Sequence, residues 1–219
     1  HHHFALAEMN GKIYMFGGYQ LPPAGQPTWV PVDNAWEYDP QTDNWKALAA
    51  LPQARGSINA LNVNGKIHLI GGATLPPGLK DAYIHPSRNT SVTTHEVYDI
   101  ASNGYSKRAD MPTARNHSAS GVINGKIYIV GGRTGSVFIP NAFNVDLVDE
   151  YDPATDQWSL KAPMPNPAKV HLPSSQSLAA PYFANYVTDQ LTDAWQKIQR
   201  REFNTGCGKE DCSWCHFTK

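Results

Sequence analysis

Residues 124–132 read NGKIYIVGG, and two close copies of this segment precede it in the chain. The copies are NGKIYMFGG at 10–18 and NGKIHLIGG at 64–72, so the three stretches begin 54 and 60 residues apart. Recurrence at a nearly constant spacing is typical of a chain built from one repeated structural unit. The sequence therefore predicts three related units.

Each copy has the composition of a tight turn followed by a strand. Asn-Gly suits a type I′ hairpin turn, which needs positive φ at both central positions. The residues after the turn, such as Ile127, Tyr128 and Val130, are β-branched or aromatic and favour a strand. The Gly pair is expected to end that strand where two backbones approach each other closely.

Two aromatic positions complete each unit. A Tyr precedes Asp in all three units, and a second aromatic residue follows the Tyr by seven positions. The pairs are Tyr38 and Trp45, Tyr98 and Tyr105, and Tyr151 and Trp158. These segments predict two further strands, which gives four short antiparallel strands per unit. Tyr105 stands where the other units have Trp, so we expect it to pack less tightly.

The combination of Gly doublets, the following Tyr and Trp, and a period of about 50 residues resembles the kelch repeat. The doublets are Gly17 and Gly18, Gly71 and Gly72, and Gly131 and Gly132. The resemblance implies an all-β chain in which each unit is a four-stranded blade of a β-propeller. It covers residues 1–165 as three blades at about 1–55, 56–115 and 116–165.

Three blades make an incomplete propeller, because propellers close with about four to eight blades. The two outer sheet faces would then be open. Either further blades precede this sequence, which is the expectation we favour, or two chains complete one six-bladed ring. His3 aligns with His117 by its spacing to the Asn-Gly turn, so it belongs to the repeat pattern, whereas His1 and His2 suit either a natural sequence or a tag.

Long segments follow the Gly pairs, and in kelch proteins such loops rim one face of the propeller and bind partners. Aromatic and Arg side chains contribute most to protein interfaces. The candidate contacts are Trp29, Tyr83, Arg88, Arg133 and Phe138. The resemblance therefore implies a binding module for a protein partner, with a glycan as the alternative ligand. We assign no catalytic residue.

Some kelch-like propellers are enzymes, namely copper radical oxidases and sialic acid mutarotases. Copper radical oxidases need a Cys beside a Tyr, but no Cys precedes Cys207. The sequence also lacks a Gly-x-Ser-x-Gly elbow, a phosphate-binding loop and a His-Glu-x-x-His pattern. A sugar-active enzyme of the sialic acid mutarotase type is the alternative function, because one or two polar channel residues would suffice for it. His68 stands in a strand position that is Tyr in the other units, so we expect it to be a core residue.

The repeat ends near residue 165, and the rest of the chain differs in composition. Residues 166–181 are rich in Pro and Ser, which predicts a linker. Apolar residues three to four apart within 182–202 predict an amphipathic helix. All three cysteines follow it, as Cys207, Cys212 and Cys215. Their Cys-x2-Cys spacing suits zinc or an iron–sulfur cluster, and reduced thiols without metal are the alternative. No other cofactor is expected.

Residues 182–219 resemble the C-terminus of UvrD-type helicases that carry a RecB-like nuclease domain. The resemblance rests on Trp195-Gln196-Lys197-Ile198, on Arg201-Glu202-Phe203 and on the cysteine spacing. The metal ligands of the nuclease and a Walker A loop are both missing, so neither activity is carried over. A DNA-processing accessory role is therefore a further alternative that rests on this tail alone. Two pieces of such different kinds also suggest a fused or recombined chain.

The charge and hydropathy of the chain bear on other partners. The net charge is −1, so we expect no nucleic-acid partner except through the tail. No apolar run reaches the length of about 18 residues that a membrane-spanning helix needs, so we expect no membrane partner. The tail favours a cytoplasmic chain, while the propeller part is equally compatible with an exported one.

Overall fold

The computed structural model of the chain describes residues 2–20, 29–76, 88–137 and 142–165. All of them lie in His1–Ala180, the first of the two units into which the chain divides. The predicted linker, helix and cysteine cluster at 166–219 lie outside the described residues, and so does the stretch that resembles UvrD-type helicases. Within the described ranges, no helix is long and apolar enough to cross a membrane.

The described residues form eighteen short strands. In chain order they are β1 (Ala5–Met9), β2 (Lys12–Phe16), β3 (Tyr19–Gln20), β4 (Val30–Pro31), β5 (Ala35–Asp39), β6 (Asn44–Ala47), β7 (Asn59–Val63), β8 (Lys66–Ile70), β9 (Ala73–Thr74), β10 (Thr90–Ser91), β11 (His95–Asp99), β12 (Gly104–Lys107), β13 (Ala119–Ile123), β14 (Lys126–Val130), β15 (Arg133–Gly135), β16 (Ala142–Asn144), β17 (Val148–Asp152) and β18 (Gln157–Leu160).

Twelve of these strands build three four-stranded antiparallel sheets, which we name blades 1, 2 and 3. Their strand orders are β1-β2-β5-β6, β7-β8-β11-β12 and β13-β14-β17-β18. The other six strands form the two-stranded ribbons β3-β4, β9-β10 and β15-β16. For the residues that the structure describes, the prediction of all-β, four-stranded antiparallel units is confirmed.

The Asn-Gly turns join the first two strands of each blade. In blade 2, Asn64 and Gly65 have φ of 52° and 73°, and the turn brings Val63 opposite Lys66. The corresponding turns of blades 1 and 3 differ from these φ values by only a few degrees. Positive φ at both central residues of a two-residue loop is the type I′ geometry that the sequence predicts.

The blades lie side by side around their first strands. β7 contacts both β1 and β13, while the last strands β6, β12 and β18 are largely exposed. One apolar core fills the space between blades 1 and 2, where Phe16 meets Tyr98 with ring centroids 5.4 Å apart. A second core lies between blades 2 and 3 and contains Ile70 and Tyr151. This inner-to-outer order of strands is that of propeller blades.

The same pair of hydrogen bonds joins blade 2 to blade 1 and blade 3 to blade 2, and we call this pair the blade joint. In blade 2 the Tyr105 hydroxyl donates to the backbone oxygen of Ala49 at 2.7 Å. The Ala49 backbone N–H donates to the Asn103 side-chain oxygen at 2.9 Å. The equivalent bonds between blades 2 and 3 are Trp158 Nε1 to Ala109 O (2.8 Å) and Ala109 N to Asp156 Oδ1 (2.9 Å).

Tyr105 and its equivalent Trp158 are both partly buried, so the expectation that Tyr105 packs less tightly stays a prediction, and Trp45 differs from both. Trp45 is 54% exposed, whereas Tyr105 is partly buried and bonded to Ala49. The physical reason lies in the neighbours. The Tyr105 hydroxyl reaches the same backbone position that the Trp158 indole N–H reaches in blade 3, while no described blade lies against Trp45.

Two buried ion pairs stabilise blades 2 and 3. Arg55 and Arg115 are fully buried, and each pairs with an acidic residue on the third strand of its blade. Arg55 Nη1 lies 2.8 Å from Glu96 Oε2, and Arg115 pairs with Asp149. Arg115 Nη1 also donates to the backbone oxygen of Gly131 at 3.2 Å. These contacts hold the end of each blade at which the Gly pair lies.

Candidate binding face

The Gly pairs gather the loops at the end of the sheets opposite the Asn-Gly turns. Gly17 and Gly18 have φ of 59° and 103°. The Gly18 N–H donates to the backbone oxygen of Arg55 at 3.0 Å, and a Cβ added to Gly17 would lie 2.2 Å from that oxygen. Glycine allows this approach because it has no Cβ and accepts positive φ. The doublets therefore define one loop-bearing end of the blades, which we call the loop face.

The residues that precede the inner strands repeat one backbone conformation on the loop face. His3, Ser57 and His117 have φ of 55°, 55° and 51°. His2 exchanges two backbone hydrogen bonds with Tyr19, at 2.9 and 2.8 Å, as the equivalent residues do in blades 2 and 3. His2 and His3 therefore follow the register of the repeat, in agreement with the alignment of His3 with His117.

Rings from blades 1 and 3 meet on the loop face. The Trp29 ring centroid lies 4.6 Å from that of His2 and 5.1 Å from that of His3. The His3 ring in turn lies 5.0 Å from that of His117 of blade 3. Tyr19 is fully buried and supports Trp29 at 5.9 Å. We call His2, His3, Trp29 and His117, all partly exposed, the histidine–tryptophan patch.

All three blades position this patch. The Tyr19 hydroxyl donates to the backbone oxygen of Ala73 in blade 2 at 2.9 Å. The side-chain amide of Asn89 donates to the backbone oxygen of Trp29 at 3.2 Å. Val137 of blade 3 packs with Tyr19 and Ala73 in one small apolar cluster, against which Trp29 packs. Packing and hydrogen bonds therefore restrain the rings before any partner binds.

The patch offers flat rings and imidazole nitrogens rather than fixed charges. Burial lowers the pKa of His2. Burial also raises the pKa of the Tyr19 hydroxyl, so both groups are neutral at pH 7. His2 Nδ1 and His3 Nδ1 lie 2.5 Å apart and share one hydrogen bond. Such rings can stack on a planar or apolar group and also exchange hydrogen bonds with it.

Of the five residues predicted as partner contacts, the structure describes three. Trp29 lies in the histidine–tryptophan patch. Arg88 is exposed, and its neighbour Asn89 bonds to Trp29, so Arg88 lies at the same end of the blades. Tyr83 and Phe138 lie outside the described residues.

Arg133, the third described candidate, is buried rather than presented to solvent. Its side chain donates from Nη1 to the backbone oxygen of Val137 at 3.3 Å, and the residue is 9% exposed. Burial lowers the pKa of its guanidinium. We therefore leave Arg133 out of the proposed contact surface and regard it as a support for the loop that carries Val137.

Sequence reasoning does not single out the histidines of the patch as contacts. The available signal is that His3 and His117 occupy one position of the repeat in blades 1 and 3, where blade 2 has Ser57. Equivalent positions just before the inner strands come close together even in blades 1 and 3, as the contact between His3 and His117 shows. The occurrence of His at this position in two blades therefore indicates that the two rings lie in one site.

A second histidine pair lies inside blade 2. His68 and His95 are both buried, and His68 Nδ1 lies 2.9 Å from His95 Nε2. The His95 ring lies 4.5 Å from Tyr151 of blade 3. Burial lowers the pKa of His68 to about 3 and that of His95 to about 4. His68 is thus a core residue, as the sequence predicts.

Among the described residues, no group of three or more His, Cys, Asp or Glu side chains is placed to hold a metal ion. Cys207, Cys212 and Cys215 lie outside the described residues, so zinc or an iron–sulfur cluster at these cysteines stays a prediction, as does the alternative of reduced thiols.

Comparisons with known proteins agree with this architecture. The Kelch motif family model matches residues 1–52 and 114–165. The chain is 29% identical over 166 residues to Kelch-like protein terF of Aspergillus terreus, covering 74% of this chain and 34% of that protein. It is 29% identical over 167 residues to human Kelch repeat and BTB domain-containing protein 12, covering 75% and 26%. Beta-scruin of Limulus polyphemus is 30% identical over 135 residues, covering 61% and 13%.

The chain therefore spans about a third or less of the length of these relatives. Among solved structures, the fold is similar to that of YjhT, with a TM-score of 0.58 at 20% sequence identity. The similarity covers 75% of this chain and 52% of the YjhT chain. At this level of identity the similarity shows a shared fold.

Proposed function

We propose that this chain, a kelch-repeat protein whose sheets form propeller blades, is a binding module that holds a protein partner at its loop face. The partner would contact the histidine–tryptophan patch together with the exposed Arg88 beside it. The module would act by binding alone.

The observation that carries this proposal is the convergence of Trp29 with His2, His3 and His117 at one partly exposed end of the blades. Trp, Tyr and Arg side chains contribute most of the energy at protein interfaces. Side chains that are already held by packing lose little conformational freedom when a partner binds. A restrained ring cluster at the loop end is therefore a suitable anchor for a partner.

The relatives support an interaction module as well. They include kelch-like proteins and scruin, which share the repeat over most of the described residues. Because this chain spans a minor part of each of them, the identity of a partner is not carried over.

The chemistry of the face favours a peptide segment with an aromatic or acidic side chain. The rings of Trp29 and His117 offer stacking surfaces, and imidazole N–H groups donate hydrogen bonds. Arg88 adds a positive charge that pairs with a carboxylate. A glycan would use the ring surfaces but would gain less from Arg88, so a glycan ligand and the sugar-active alternative become outcomes of the test.

The proposal can be tested with a displayed library of random peptides selected on the full chain. Enriched peptides are then titrated against the parent chain and against Trp29→Leu and His117→Asn. Asn accepts the positive φ of position 117, so this variant removes the imidazole without straining the backbone. We expect each substitution to weaken binding at least about tenfold, because truncating an interface anchor costs about 2–4 kcal/mol.

Leu160→Ala serves as the matched control, since Leu160 is 67% exposed on the outer strand β18. It should leave peptide affinity unchanged, and thermal unfolding of all variants checks that the fold is retained. Peptides that bind Trp29→Leu and His117→Asn as well as they bind the parent chain would contradict the proposal. Sugars that bind at the patch on a glycan array, with no peptide enriched, would favour the sugar-binding alternative instead.

A further inference from the structure

His117 belongs to the histidine–tryptophan patch, and a buried neighbour holds its ring. His117 Nδ1 lies 2.5 Å from the side-chain oxygen of Asn116. Asn116 is 0% exposed, and its backbone exchanges hydrogen bonds with that of Arg133 at 2.9 and 3.0 Å. A buried side-chain amide needs hydrogen-bond partners for both its oxygen and its nitrogen. The partner of the nitrogen therefore shows which end of the amide faces His117.

The amide nitrogen of Asn116 meets a hydroxyl of blade 2. Asn116 Nδ2 lies 2.7 Å from Ser91 Oγ. That hydroxyl lies 2.8 Å from the backbone oxygen of Gly135 and 3.4 Å from that of Arg133. Carbonyl oxygens only accept hydrogen bonds, so Ser91 donates its single O–H to a carbonyl and accepts the N–H of Asn116 through a lone pair. We call Ser91, Asn116 and His117 the polar relay.

The direction of each hydrogen bond in the polar relay follows from these contacts. If the Asn116 amide were reversed, its oxygen would face a Ser91 oxygen whose only hydrogen is already used. In the observed orientation, the amide oxygen faces His117 Nδ1, which must therefore carry a hydrogen. The opposite tautomer would place a ring lone pair 2.5 Å from the lone pairs of the Asn116 oxygen. Only the Nδ1–H tautomer of the neutral His117 ring thus satisfies the network.

We propose that Ser91 and Asn116 are positioning residues that hold His117 as the Nδ1–H tautomer, so that any partner group that meets His117 Nε2 must donate a hydrogen bond. This inference rests on the proposed binding at the loop face and specifies the chemistry of one contact there. Suitable groups are a hydroxyl, an amide N–H or an indole N–H. Arg88, in contrast, only donates, so the partner presents a donor to His117 and an acceptor to Arg88.

Blade 2 lacks the polar relay. Gly56 occupies the position of Asn116 in blade 2 and has no side chain. Pro31 of blade 1 occupies the position of Ser91 and has no hydroxyl. Blade 2 nevertheless forms the same four-stranded sheet as blade 3. The fold of a blade therefore does not require the relay, which supports a role at the loop face instead.

Nitrogen NMR of the full chain, labelled with nitrogen-15 histidine, tests the tautomer without any partner. In a neutral imidazole, the nitrogen that carries a hydrogen and the nitrogen that does not have clearly different shifts. Spectra are recorded at about pH 8, above the ordinary histidine pKa of about 6.5. The His117 signals are those that His117→Asn lacks. We expect Nδ1 to carry the hydrogen and Nε2 to carry none.

Ser91→Ala removes the hydroxyl, so the Asn116 amide can turn and donate its N–H to His117 Nδ1. We expect the hydrogen of His117 to move to Nε2 in this variant and to stay on Nδ1 in Ser91→Thr, which keeps the hydroxyl. Thr90→Ala is the matched control, because Thr90 is exposed on the same strand, and it should keep the parent tautomer. Thermal unfolding checks that all variants are folded. A parent chain with the hydrogen on Nε2, or a Ser91→Ala variant with the parent tautomer, would overturn the proposal.

Peptides enriched on the parent chain test the donor requirement. Each peptide is resynthesised with one hydroxyl or N–H at a time methylated, which removes the donor. At one position, methylation should weaken binding to the parent chain and to Thr90→Ala about two- to tenfold, and should have little effect on binding to Ser91→Ala.

Two outcomes of the peptide test separate this inference from the proposed function. Peptides that need His117 but tolerate methylation at every donor would overturn the donor requirement and leave the proposed function intact. Peptides that bind His117→Asn as well as they bind the parent chain would overturn the proposed function and the donor requirement together, whichever tautomer NMR shows.

Discussion

His68 Nδ1 lies 2.9 Å from His95 Nε2 in the interior of blade 2, close to its joint with blade 3. At the same position of blade 1, Tyr14 donates to Glu37 at 2.9 Å. Val97 replaces that Glu in blade 2, so His68 bonds to a second His instead. The substitution places a buried pair of titratable rings between two blades.

This pair makes stability depend on pH. Burial lowers the pKa of His68 to about 3 and of His95 to about 4, against an ordinary value of 6.5. The folded state therefore prefers the neutral rings, and their contribution is complete above pH 6.5 and is lost as the pH falls toward 4. Denaturant unfolding should show a loss of roughly 2–4 kcal/mol between pH 7 and pH 5.

The double variant His68→Gln/His95→Gln is the comparison for this measurement. It should be less stable at pH 7 but should lose much less of its free energy of unfolding on going to pH 5. The neighbouring charges of Arg108 and Asp156 act in opposite directions on the pKa values of the two histidines, and both charges are present in the parent chain and in the double variant. An equal pH dependence in the parent chain and the double variant would contradict the assignment.

The buried pair of Arg115 and Asp149 predicts a large effect of a single substitution. Arg115→Met leaves the carboxylate of Asp149 buried and without its partner, so the free energy of unfolding should fall by about 3–5 kcal/mol. Arg115→Met/Asp149→Leu should recover most of that loss. Lys66→Met removes the more exposed pair with Asp99 and should change stability far less. Chemical denaturation of the four proteins gives the comparison.

Gly17 predicts an effect of backbone geometry. Gly17→Ala places a Cβ 2.2 Å from the Arg55 oxygen at a φ of 59°. The unfavourable φ alone costs about 1–3 kcal/mol, and the clash adds to it. Gly121→Ala is the control, because a Cβ there has no neighbour within 4 Å. It should be neutral or stabilising in thermal unfolding, and equal melting temperatures for the two variants would argue against the account of the doublets.

The blade joint can be measured through Tyr105. Tyr105→Phe removes the hydroxyl that donates to Ala49 while keeping the ring, and it should destabilise the chain by about 1 kcal/mol. Tyr38→Phe removes an exposed hydroxyl that bonds only to Asp43 among the described residues, so its effect should be smaller. Urea unfolding of both variants decides, and a larger loss for Tyr38→Phe would be inconsistent with the joint described here.

The repeat pattern predicts the strands well because it depends on local chemistry. Asn64 and Gly65 specify their turn by positive φ, and Gly17 marks a close approach of two backbones. Both features require a backbone conformation that few residue types other than Gly and Asn adopt readily. The four-stranded order of each blade follows from the same spacing.

The sequence predicts the candidate site less well, because the site depends on how the blades are arranged in space. The sequence predicts Trp29 as a contact, and the structure places it beside His2 and His3. Only the arrangement of the blades brings His3 and His117 together. Arg133 shows the converse, since its charge marks it as an interface residue while the fold buries it. Similarly, the pairing of His68 with His95 follows from the absence of a Glu partner at Val97.

Hydrogen–deuterium exchange of the full chain, with and without an enriched peptide, shows whether the loop face is the binding surface. We predict slower amide exchange at residues 2–4, 18–20 and 116–118 in the complex, with no change at the Asn-Gly turns. Protection confined to the Asn-Gly turns, or absent from the loop face, would contradict binding at the loop face.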